Sequence, residues 1–143
     1  MDIVARLQSL PVGRFHYKLL VLVGLGWLFD AMDTGMVSFV LATLGKEWGL
    51  SPKELGWVVS IGFVGMAIGA VMGGRTADKI GRKTVFAVSL MVYSIATALC
   101  AVAPDLGWLL AFRFFVGVGL GAQLPVAVTL VREYVPAKVR GRF

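Results

Sequence analysis

The chain is short of almost everything that a soluble enzyme or a metalloprotein is built from. Its 143 residues include a single cysteine, Cys100, and a single histidine, His16. One cysteine forms no internal disulfide, and this pair cannot supply the ligand sets of a zinc site, so neither a metal nor a cofactor is expected. Cys100 sits inside an apolar run and reads as packing. Charge is scarce as well, at 15% of residues. No nucleophile, base and orienting group fall at one depth, which argues against an enzyme.

What remains is apolar. Hydrophobic residues make up 58% of the chain and the mean hydropathy is +0.84, far outside soluble composition. An all-α polytopic transmembrane helix bundle is expected. The net charge of +6 points to nucleic acid in a soluble domain, but here the basic residues gather between the apolar runs. The expected surroundings are therefore a lipid bilayer, with no nucleic acid. A cleaved leader is not expected, because the first run is long and others follow it.

The pattern predicts four membrane spans, at about residues 19–44, 55–74, 84–103 and 106–131. Residues 1–18 precede them and residues 132–143 form a tail. Ser51-Pro52-Lys53-Glu54 is a capping box with proline in the first turn, and Pro104-Asp105 is a turn with Asp105 a candidate N-cap. The segments before the first span, between the second and third, and after the fourth carry three, four and four Lys or Arg residues. The other two loops carry two and none. This asymmetry places both termini in the cytoplasm and puts Trp48, Trp57 and Trp108 at the outer surface, as an aromatic belt requires.

The first span contains the anomaly. Asp30 and Asp33 lie near the middle of the run, and together cost roughly 5–7 kcal/mol on an insertion scale. About thirteen Leu, Val and Phe residues in the same run return roughly 4–8 kcal/mol. Insertion alone is close to a tie, so neighbouring helices must give the carboxylates a wet or paired setting. On a helix Asp30, Asp33, Thr34 and Val37 share one face, with Gly26 one turn earlier. The second span carries Gly65, Gly69 and Gly73 at four-residue spacing, a packing pattern that admits another helix backbone. The third span reads as featureless and largely lipid-facing.

Residues 74–83, GRTADKIGRK, are expected to form a cytoplasmic loop in which Gly74 and Gly81 permit a tight reversal and Asp78 accepts hydrogen bonds. This segment resembles motif A of the major facilitator superfamily at Gly74, Ala77, Asp78, Lys79, Gly81, Arg82 and Lys83, with Thr76 in place of the usual leucine. Arg113 with Gly117, Gly119 and Gly121 resembles the family's fourth span. Glu133, Pro136, Arg140 and Gly141 resemble the element that follows it. The strings GWLFDAMDTGMVSFVL, EWGLSP and GAQLPVA look like the branch of bacterial metabolite:proton symporters that includes niacin transporters, although an acidic residue is common there at the position of Gln123.

The resemblance implies a proton-coupled secondary transporter in the cell membrane. Its substrate would be a small organic metabolite, a monocarboxylate such as nicotinate or an aromatic acid. Asp33 would carry the proton with Arg113 as its charge partner, and Asp30, Thr34 and Gln123 would line the substrate path. Gly74, Asp78, Gly81, Arg82 and Lys83 would form a conformational latch. Two other readings stay open: a self-contained four-span oligomeric multidrug exporter using Asp30 or Asp33, and a non-transporting membrane scaffold. Motif A and Arg113 weigh against the first, the carboxylates against the second.

The family has twelve spans against four here, so a C-terminal part of the same carrier is the expected partner. The native gene product should be roughly three times as long as this chain, as two repeated halves require. Intact-mass measurement on membranes reads this directly, and a product ending at Phe143 would remove the carrier reading.

Overall fold

The computed structural model describes residues 13–134. Four helices follow one another: α1 (Arg14–Glu47), α2 (Pro52–Ile80), α3 (Arg82–Ala101) and α4 (Leu106–Tyr134). Each is long and apolar enough to cross a membrane, and no strand occurs among the described residues. The architecture is an all-α transmembrane bundle.

The helix starts follow local chemistry. Ser51 Oγ accepts the Glu54 backbone N–H at 3.4 Å, and the Glu54 carboxylate accepts the Ser51 backbone N–H at 2.7 Å. Asp105 Oδ1 accepts the Trp108 N–H at 3.0 Å and opens α4. Both satisfy amides that the first turn leaves without partners.

One expectation is corrected. The segment from Gly74 to Lys83 is not a loop: α2 runs on to Ile80, and α3 begins at Arg82. Nothing between Arg75 and Ile80 breaks a helix, so the chain stays helical as its charged residues emerge from the apolar span. The whole reversal falls on Gly81, whose φ of +93° lies in the left-handed region that favours glycine. Gly74 is a helix-interior residue. The tail element is not open to description, since Pro136, Arg140, Gly141 and the side chain of Glu133 lie outside the described residues.

Helix α4 is central, packing along its length against α2 and α3, while α1 meets the bundle along a narrower strip. An apolar cluster at one end joins Leu41, Val58 and Leu109, with Trp48 and Cys100 against it. A second at the opposite end joins Ala77, Val85 and Val126. The large side chains on the remainder of α1, such as Leu22, Phe29 and Phe39, are exposed.

Between the apolar ends, α2 and α4 touch backbone to backbone. A Cβ on Gly65 would fall on the Phe114 carbonyl oxygen, and one on Gly69 would fall on that of Val118. From the other side, Gly117 lies against the Gly62 carbonyl and Gly121 against that of Met66. Gly119 faces α3 instead, where a Cβ would stand 2.8 Å from the Tyr93 backbone nitrogen. Small residues thus bring the helices close enough for dispersion contacts between backbones.

Gly69→Ile should therefore separate α2 from α4, at a cost above the roughly 1–3 kcal/mol of ordinary overpacking, because the atoms it meets are backbone. Thermal unfolding of the detergent-solubilised protein measures this. Gly74→Ala, in open space on the same helix, should leave the transition unchanged.

Candidate functional site

The inward strip of α1 is the one turn-spaced row that includes Gly26, Asp30, Asp33, Val37 and Leu41, each less exposed than its neighbours. Both carboxylates are therefore turned toward the other helices. Arg113 of α4 approaches from the facing side, and its Nη1 donates to Asp33 Oδ2 at 3.1 Å. The side chains retain 14% (Asp33) and 15% (Arg113) of their exposure, so the pair is largely withdrawn from solvent. At that burial the attraction is strong, and removing one partner leaves a charge with nothing to balance it.

The pair stands in the wall of a cavity of about 190 Å³ between α1, α2 and α4. Thr34 and Ser38 add hydroxyls, while Val58, Phe63, Met66 and Leu120 supply apolar wall. The Thr34 hydroxyl donates to the Asp30 carbonyl at 3.0 Å, one turn back on its own helix. Chemically this is an apolar pocket with one guanidinium and one carboxylate at its edge. Such a surface suits a small, flat, apolar body carrying a single anionic group.

The other sequence-derived residues separate from this centre. Asp30 shares the strip but does not line the cavity, and its Oδ1 is buried with no hydrogen-bond partner among the described residues. Gln123 is buried at 4% exposure, also outside the cavity, about 15 Å along α4 from Arg113. Its Nε2 likewise has no partner among the described residues. At the far end, Asp78 pairs with Arg82 at 3.5 Å across the Gly81 turn, with the Asp78 side chain 71% exposed.

One group escaped the sequence reading. Helix α3 is not featureless: Tyr93 is half-buried within electrostatic reach of Asp33, Asp30 and Arg113. The signal was present as Ser89, Tyr93 and Thr97, a polar row at four-residue spacing on the face that α3 turns inward.

Comparison with known proteins identifies the family. A family model described as Major Facilitator Superfamily matches residues 23–143. The chain is 66% identical over 143 residues to a niacin transporter of Acinetobacter baylyi, covering all of this chain and 33% of that protein. It is 42% identical over 134 residues to a gentisate transporter of Corynebacterium glutamicum, 92% of this chain and 30% of that one. It is 38% identical over 140 residues to a 4-hydroxybenzoate transporter of Acinetobacter baylyi, 98% of this chain and 31% of that one. The chain thus spans about a third of the length of the curated relatives it matches.

Arg113→Gln should destabilise the bundle by about 3–5 kcal/mol by stranding Asp33, and the double variant Asp33→Asn with Arg113→Gln should recover most of that loss. A double-mutant cycle on thermal unfolding measures the coupling. Additive losses would mean that the two side chains do not act on each other.

Proposed function

This chain belongs to the major facilitator superfamily, and we propose that it forms the first part of a proton-coupled carrier of small aromatic monocarboxylates. The observation that carries the reading is the Arg113–Asp33 contact at the cavity wall. The names of the relatives support the substrate class, since niacin, gentisate and 4-hydroxybenzoate are all aromatic acids. A longer gene product would supply the opposite wall of a cavity that is small beside the roughly 300–1,000 Å³ of typical ligand sites.

Coupling follows from charge balance. With Asp33 ionised, Arg113 is satisfied by it and has little to offer an anion. Protonation of Asp33 removes that counter-charge, and a guanidinium left alone in an apolar wall is costly. A substrate carboxylate restores the balance by taking two N–H donors in the planar geometry that arginine presents. Proton and anion therefore bind together and leave together. One proton moving with one monoanion carries no net charge, so the drive is the pH difference, about 1.4 kcal/mol per unit.

In this reading the basic ends of α2 and α3 lie in the cytoplasm, as does the N-terminus, and the bundle sits in the cell membrane. Thr34 faces the substrate. Asp78 and Arg82, joined across Gly81, form with Gly74 and Lys83 a latch that closes the cytoplasmic side in one state. Gln123 belongs to the deeper part of the path.

The test is Asp33→Asn in the native gene product, assayed with labelled nicotinate in proteoliposomes. Accumulation driven by an inward pH gradient should fall to background while nicotinate exchange across the membrane persists. Unchanged accumulation would remove Asp33 from coupling.

A further inference from the structure

The two aspartates of α1 differ in their surroundings. Asp33 faces the cavity and is bound by Arg113. Asp30, one turn earlier, has a buried Oδ1 that no described residue satisfies. The hydroxyl of Thr97, on α3, is equally buried and also without a hydrogen-bond partner among the described residues. Tyr93 stands one turn before Thr97, approaches it without hydrogen-bond geometry, and lies near both carboxylates. An acceptor and a donor from facing helices are thus left open around one phenol. Burying either atom without a partner is unfavourable, and each is chemically suited to the other.

We propose that Tyr93 and Thr97 are positioning residues for Asp30, donating hydroxyl hydrogen bonds to its carboxylate in the state where Asp33 is protonated and Arg113 is engaged by substrate. This rests on the proton-coupled reading above and deepens it. Asp33 exchanges its proton with the cavity, while Asp30 keeps a fixed charge whose influence on Asp33 depends on how well α3 holds it. The titratable groups within reach of Asp30 are Asp33 on its own helix and Tyr93 on α3, whereas Cys100 on α3 lies within reach of Asp33 and Arg113. Among these, the α3 hydroxyls are uncharged donors that stabilise a carboxylate without competing for Arg113. The short side of α3 that presents them is fixed by Gly119, against which the Tyr93 backbone is packed.

The experiment measures the pH profile of nicotinate uptake by the native gene product in proteoliposomes, for the wild type and for Tyr93→Phe, Thr97→Val and Thr97→Ser. With a hydroxyl donor gone, the fixed Asp30 charge is less offset by neighbouring dipoles and acts more fully on Asp33, favouring its protonated form. Tyr93→Phe and Thr97→Val should move the profile upward by roughly 0.5–1 unit, the equivalent of one net hydrogen bond. Thr97→Ser, which keeps the hydroxyl, should restore the wild-type profile, and the KM for nicotinate exchange should stay unchanged in all three. Unmoved profiles in Tyr93→Phe and Thr97→Val would overturn the assignment, as would an equal shift in Thr97→Ser. A wild-type profile flat with pH would instead overturn the proton-coupled reading, and this inference with it.

Discussion

The contact on which the bundle depends is the one between the backbones of α2 and α4. The carbonyl oxygens of Phe114 and Val118 occupy the space where side chains at 65 and 69 would stand. In a bilayer, water offers helices no hydrophobic reason to associate, so close packing and complementary polar contacts must do it. Glycine at both surfaces lets α4 seat deeply between its neighbours, and the inward aim of Arg113 follows from that seating. A helix held at a more usual separation would carry the guanidinium away from α1.

The ion pair then does for α1 what its sequence cannot. Two carboxylates nearly cancel the insertion gain of the first span, and that helix makes only a narrow contact with the bundle. Placing Asp33 on Arg113 removes one of the two liabilities without hydration. It also ties α1 to α4 through a single carboxylate. The pair stands in the wall of the cavity, where its two side chains are largely withdrawn from solvent and depend on each other for charge balance.

How much was legible can be read from particular residues. Charge and hydropathy placed the helices, and the caps at Ser51 and Asp105 were readable because they depend on neighbours three positions away. Asp33 and Arg113 were visible as anomalies, since charge in an apolar run needs a partner. The Gly74–Lys83 segment was misread as a loop because its composition is that of a loop, whereas helicity there depends on the absence of a breaker before Gly81. Tyr93 was passed over because a phenol in an apolar run is unremarkable until its neighbours across the interface are known.

The sequence by itself determined that this is a membrane bundle of four helices, which family it resembles, and that Asp30 and Asp33 need a wet or paired setting. These follow from local composition, periodicity and the cost of burying charge, none of which needs coordinates. Only the tertiary structure decided that Asp33 lines the cavity while Asp30 does not, that Gln123 lies outside it, and that α3 brings a phenol to the carboxylates. Those outcomes depend on the rotation and depth of each helix against the others. That register is set by where glycine permits backbones to touch, and it is expressed only when the helices meet.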